Sequence, residues 1–373
     1  MSVSQSRRGF LSLLAASGFG GGLGGGWNAV GGRSASADDL ESLYIPDEID
    51  RAVKRGVDAL LRYQKDDGSV TDRVNATAMT SLAIMALASV GTVAGDDSER
   101  GRALDRAIEF VLLDKNSDEG YFGQQDGSRM YGHGITTLML TEVLGMGSSI
   151  EQNERIHDAL DGAIKVILKS QAVSKAASLR GGWRYTPNSR DSDLSVSVWH
   201  VMALRSAKND GLDVPVAAID LAVEYLENSY TSPLDDAGIP IESTGGFAYT
   251  PGTRHPTFTM TAAGLLALQT CGRYDSPLVV GASKWLLERP PRNNDRFFFY
   301  GMYYYAQGMH QVGGEAAETA SRLTGELLLR LQTAAGHWIS GDNEESNVGI
   351  VYATSLAVLS LGVRYHYLPI YQR

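Results

Sequence analysis

Asp191 and Asp193 stand two residues apart in the segment DSDLSV, which leads through Ser197 into the apolar stretch VWHVMAL. A carboxyl group at the start of an apolar helix has two readings. It can cap the helix by accepting a backbone N–H two or three residues on, worth about 1 kcal/mol. It can instead face a ligand and move a proton. The sequence leaves both open. In either case the helix N-terminus favours the ionised carboxylate, so the expected pKa of Asp193 is low.

A second concentration of reactive surface is aromatic. The stretch DRFFFYGMYYYAQGM holds Phe297, Phe298, Phe299, Tyr300, Tyr303, Tyr304 and Tyr305. Consecutive positions on a helix cannot share one face, so some of these rings turn inward while others pack against neighbours. Inward-facing Tyr300, Tyr303 and Tyr304, with Trp199 downstream of Asp193, would suit a cation, an isoprenoid chain or a sugar face. Further candidate ligand contacts are Tyr131, His133, Arg254, His255 and Tyr352. His133, His255 and His310 are scattered, and Cys271 is the one cysteine, so no metal site and no cofactor is expected. Glycoside hydrolysis needs two facing carboxylates, whereas Asp191 and Asp193 are neighbours and Asp342, Glu344 and Glu345 lie in a polar loop.

These residues fall at equivalent places in a repeated unit of about 55 residues: a helix, a Gly-aromatic turn and a second helix rich in small apolar residues. In the last copy LLLRLQ leads through TAAGHW to NVGIVYATSLAVLSL, and in the first LLRYQKDDGSV leads to NATAMTSLAIMAL. Intermediate copies pair Ala103–Leu113 with His133–Leu144, Ile156–Gln171 with Leu194–Leu204, Val216–Tyr225 with Phe258–Leu268, and Val279–Glu288 with Tyr300–Met309. The first helix of a pair is amphipathic; in Arg51–Gln64, Val53, Val57, Leu60 and Leu61 share one side. The second is nearly uncharged, as suits a helix enclosed on all sides. Six inner helices ringed by six outer ones follow. If the inner set runs parallel, the inner N-termini meet at one mouth, where the polar candidates gather.

Gln332, Gly336 and Trp338 spell Q-x-x-x-G-x-W, and Gln64, Gly68 and Val70 repeat the frame with valine in the last place. On this pattern the chain, from about Asp47 onward, resembles the terpenoid cyclase and protein prenyltransferase superfamily, and the squalene-cyclase-like proteins in particular. The resemblance implies an all-α fold, a single (α/α)6 toroid of six helical hairpins. The segment DSDLSV resembles the D-x-D-D-T-A acid motif of squalene-hopene-type cyclases, in which the middle aspartate protonates an alkene or epoxide and the carbocation cyclises against an aromatic wall. Asp191 falls on the first position and Asp193 on the proton donor, while Leu194 and Ser195 replace the third Asp and the Thr. The zinc of the prenyltransferase branch, held by Asp, Cys and His, has no counterpart, since Cys271 is not in a D-x-C setting.

Near the N-terminus Arg7 and Arg8 precede Gly9-Phe10-Leu11, and Ala35-Ser36-Ala37 offers a cleavage site. Residues 1–37 therefore read as a twin-arginine signal peptide and 38–373 as the toroid domain, which places the mature protein in the periplasm or outside the cell. The net charge of −10 becomes about −13 once three arginines are removed, which disfavours nucleic acid as a partner. No segment of the toroid domain approaches the ~18 apolar residues of a membrane span. One cysteine excludes an intrachain disulfide, so the core alone must hold the fold. The expected partner is an apolar, isoprenoid-like small molecule at the mouth, with acid-initiated cyclase or isomerase activity through Asp193. A non-catalytic toroid that binds a peptide, protein or envelope component, and a glycan lyase or hydrolase, are the alternatives.

Overall fold

A computed structural model of the protein describes residues 46–369, so the signal sequence read at 1–37 lies outside the described residues. The first three hairpins pair α1 (Glu48–Arg62) with α2 (Ala76–Ala88), α3 (Glu99–Val111) with α4 (Arg129–Val143), and α5 (Ile150–Gln171) with α6 (Leu194–Asn209). The last three pair α7 (Val216–Asn228) with α8 (Phe258–Thr270), α9 (Pro277–Glu288) with α10 (Phe298–Val312), and α11 (Gly314–Leu331) with α12 (Ile350–Gly362). A single helical turn at Asn343–Ser346 precedes α12.

Even-numbered helices form the inner layer. In α2, α8 and α12 nearly every residue is buried, as an uncharged all-apolar surface demands. Each inner helix packs on the next around the series α2, α4, α6, α8, α10, α12, and α12 packs on α2. The ring is closed. Outer helices bury one stripe; α1 turns Ala52, Val53, Val57 and Leu60 inward. Each outer helix lies mainly on the inner helix of the preceding hairpin, and α1 completes the circuit on α12. Where the two ends of the ring meet, Tyr365 Oη donates to Asp50 Oδ1 at 2.6 Å.

Three sets of bonds recur from repeat to repeat. In the first, a glutamine at the end of an outer helix donates to the next outer helix: Gln64 Nε2 to Ala103 O (2.7 Å), Gln171 to Ala218 O (2.9 Å) and Gln332 to Ala52 O (2.8 Å). In the second, the turn is pinned to its own inner helix. The N–H groups of Val70, Trp183, Phe247 and Trp338 donate to the hydroxyls of Thr80, Ser197, Thr261 and Thr354 at 2.9–3.1 Å. In the third, the loop of one repeat caps the inner helix of the repeat before it. Asp126 accepts from Ala78 N, Tyr185 O from Met130 N, Tyr249 O from Leu194 N, Glu345 from Phe299 and Tyr300 N, and Asp72 from Ile350 and Val351 N. Backbone groups left open at helix ends are thus satisfied by a neighbouring repeat.

Several helices begin earlier than apolar periodicity indicates, among them α3, which starts at Glu99 rather than Ala103. Helix α5 starts at Ile150, not Ile156, because Ser149 caps it and its first turn is polar. Helix α4 starts at Arg129, before His133.

Candidate functional site

A cavity of about 610 Å³ opens at the N-terminal end of the inner helices. Its walls include Asn75 and Met79 from the first repeat, Tyr131 and Ile135 from the second, Tyr185 and Ser195 from the third, Tyr249, Thr259 and Met260 from the fourth, Arg296, Phe297 and Tyr300 from the fifth, and Glu344 and Tyr352 from the sixth. All six repeats contribute, so the inner helices point the same way and share one rim. The volume lies within the range of about 300–1,000 Å³ usual for small-molecule sites.

Aromatic rings close the floor. Trp199 of α6 reaches across the interior to α10, stacking on Tyr303 with centroids 5.5 Å apart and planes 14° apart, and touching Tyr304 at 5.7 Å. Tyr304 meets Tyr300 edge-on at 4.9 Å, and Tyr300 alone of the four α10 tyrosines reaches the cavity. Trp199, Tyr303 and Tyr304 are buried core, a plug beneath the cavity.

Asp193 is fully buried and caps α6, its Oδ1 accepting from Val196 N at 2.9 Å and from Ser195 Oγ at 2.6 Å. It is not on the cavity wall; Ser195 is. Tyr131 Oη donates in turn to Ser195 Oγ, and Tyr300 Oη to the Ser195 carbonyl at 2.6 Å. The second carboxyl oxygen, Oδ2, lies 3.4 Å from Arg184 Nε. That guanidinium also pairs at 2.8 Å with Asp191, which is half exposed and off the cavity wall, and lies over the rings of Tyr185 and Tyr249. The Tyr185 and Tyr249 hydroxyls share a 2.5 Å hydrogen bond.

Burial raises the pKa of Asp193 above its ordinary value, against the lowering pull of Ser195, the Val196 N–H, Arg184 and Tyr249. This reverses the sequence expectation, because removal from water outweighs the stabilisation that a helix N-terminus gives to the charge. Glu345, capping α10 and held by Ser340 Oγ at 2.7 Å, is likewise buried and raised. At the rim Arg296 Nη2 donates to both oxygens of Glu344, at 2.6 and 2.7 Å.

Of the other sequence candidates, Tyr131 and Tyr352 line the cavity with Tyr300, while Arg254 and His255 are exposed on the loop before α8, outside it. His133 is buried and turned toward the outer layer. Its Nδ1 accepts from Phe122 N at 3.3 Å and its Nε2 faces Ala163 O at 3.2 Å, so it pins the turn of the second repeat as a hydroxyl does in four others. Burial, with His200 nearby, pushes its pKa down to about 3, so it is neutral. Tyr185 and Tyr249 were missed because they sit in loops. Their signal was register, since each stands two residues after a turn aromatic, Trp183 or Phe247.

No protein-family model and no curated protein sequence matches the chain. Solved structures do. The GH76A α-1,6-mannanase of Salegentibacter sp. HEL1_6 superposes with a TM-score of 0.59 at 9% identity, over 85% of this chain and 98% of the mannanase. The type II terpene cyclase MstE of Scytonema, in complex with its product merosterolic acid A, gives 0.53 at 14% identity, over 84% and 96%. A glycosidase variant gives 0.56 at 12% identity, over 90% and 100%. The fold is the α/α toroid. At these identities the likeness fixes the architecture and leaves the chemistry of the toroid to its own residues. Among the described residues no group of three or more His, Cys, Asp and Glu is placed to hold a metal ion, and no helix is long and apolar enough to cross a membrane.

Proposed function

We propose that the toroid binds an apolar small molecule of the isoprenoid class at its mouth. The observation that carries this is the wall itself. Met79, Ile135, Met260, Phe297 and the faces of Tyr131, Tyr300 and Tyr352 surround the space, and the wall's one carboxylate, Glu344, is held by Arg296. MstE has also been solved with geranylgeranyl dihydroxybenzoate, an isoprenoid-bearing substrate. An acid-initiated cyclisation or isomerisation in this toroid would draw its proton from Asp193 through Ser195 Oγ and Tyr131 Oη, since the carboxyl group does not touch the ligand space. The pair Arg7-Arg8 supports export by the twin-arginine route to the periplasm or beyond, a placement that cell fractionation with both arginines changed to lysine would test.

Titration of the purified protein with farnesol, geranylgeraniol and squalene, followed by tryptophan fluorescence and a product search by mass spectrometry, tests this reading. Saturable binding weakened at least about tenfold by Tyr352→Ala supports it. Binding without turnover makes the protein a carrier or scaffold. A glycan-acting toroid is the second reading, favoured by the rim polar groups Asn75, Ser128 and Thr257 beside the aromatic faces. Preferential binding of α-1,6-mannotriose would replace the first reading with it.

A further inference from the structure

The hydrogen bonds between the cavity and Asp193 have a direction, and that direction selects among isoprenoids. An ionised carboxylate only accepts, so the one proton of Ser195 is committed to Asp193 Oδ1 at 2.6 Å. Ser195 Oγ can then only accept from Tyr131, and the proton of Tyr131 is spent there. What remains on Tyr131 Oη for the cavity is a lone pair. Tyr300 Oη is likewise committed, donating to the Ser195 carbonyl at 2.6 Å and accepting from Tyr304 at 3.1 Å. The Tyr185 and Tyr249 hydroxyls share one hydrogen bond, which uses one of their two protons, so the direction fixed here is that of Tyr131 alone.

The geometry points to Tyr131 as the residue that reads the polar end of the ligand, as a hydrogen-bond acceptor while Asp193 is ionised and as a donor once Asp193 is protonated. The ligand this favours is an isoprenoid alcohol rather than a hydrocarbon or a carbonyl compound. The assignment rests on the isoprenoid reading of the mouth. Protonating Asp193 adds one proton to the chain, which then runs from Asp193 through Ser195 and Tyr131 into the cavity; no covalent bond changes. The charged and titratable groups that face Asp193 are Arg184 and Tyr249 from the loops, Tyr225 from α7, Tyr131 from α4 and Tyr300 from α10. Among these groups Arg184 is the cation, and its charge is shared with Asp191.

Two measurements test this. The first needs no ligand: an infrared titration of the carboxyl band that disappears in Asp193→Asn, repeated in Ser195→Ala and Tyr131→Phe. Both substitutions should move the midpoint upward, Ser195→Ala more; a midpoint unmoved by Tyr131→Phe overturns the relay. The second compares farnesol with farnesal on either side of that midpoint. Above it the alcohol should bind about tenfold or more tightly than the aldehyde, because a site built for one hydrogen-bonding partner rejects the mismatched one. The preference should shrink or invert below the midpoint, where the added proton becomes available to Ser195. Equal affinities above the midpoint overturn the assignment and leave the isoprenoid mouth standing. Binding of neither probe, with mannotriose bound instead, defeats the isoprenoid reading and the ligand class named with it, while the titration still judges the relay.

Discussion

Asp72 accepts the backbone N–H of Ile350 at 2.7 Å, so a loop of the first hairpin caps the inner helix of the last. Its other oxygen takes Val351 N at 3.1 Å. One side chain therefore satisfies two open donors at the seam where the ring closes. Asp72→Ala should lower stability by about 1–2 kcal/mol, and Asp72→Asn by less, as measured by urea unfolding.

Acid should destabilise the toroid through two buried histidines. His133 and His200 are pushed down to about 3 and about 4, chiefly by burial, while an unfolded histidine titrates near 6.5. Their stabilisation is complete above 6.5 and declines as pH falls toward the folded values. Between pH 7 and 5 each should cost about 2 kcal/mol, and His200→Gln should flatten the profile. Asp193 has the opposite sign. Its folded pKa is raised, so its contribution is present below the unfolded carboxylate value and lost as pH rises through the folded one. Asp193→Asn should therefore steepen the acid loss.

Gly56 of α1 faces the Trp338 ring so closely that an added Cβ would lie 2.7 Å from Cζ3. Trp338 is fully buried and tied to Leu328 O at 2.8 Å, so it has little room to yield. Gly56→Ala should cost about 1–3 kcal/mol by overpacking. Gly341→Ala, where a Cβ meets nothing within 4 Å, is the control and should leave the melting temperature nearly unchanged.

Asn75 sits at the rim with φ of 59°, and Phe297 on the same rim has φ of 54°. Left-handed backbone costs most side chains about 1 kcal/mol or more, asparagine less and glycine least. At position 75 thermal stability should fall in the order Gly, Asn, Ala. If Asn75 contacts the ligand, binding will not follow that order, and Asn75→Gly will be the more stable but weaker binder.

The architecture was legible because enclosure leaves a compositional mark: α2, α8 and α12 lack a polar side, and their spacing betrays the repeat. The same property hid the site. A helix that is apolar all round gives no stripe from which to learn which way a given side chain turns, so His133 pointing outward and Tyr131 pointing inward looked alike. Gln171 and Trp183 make the same bonds as Gln332 and Trp338, yet a longer loop puts Gly181 ten residues after Gln171 rather than four. Spacing fails where an insertion keeps the contacts but changes the count. Asp193 was recognisable as a cap or an acid; that Ser195 screens it from the cavity follows only from packing.

Because Tyr365 meets Asp50 where α12 passes α1, no hairpin of the circuit is intrinsically first. A gene reopened at another junction between hairpins, with a short linker across this seam, would describe the same circle. The cavity at the mouth, lined from all six repeats, would be rebuilt whichever hairpin came first.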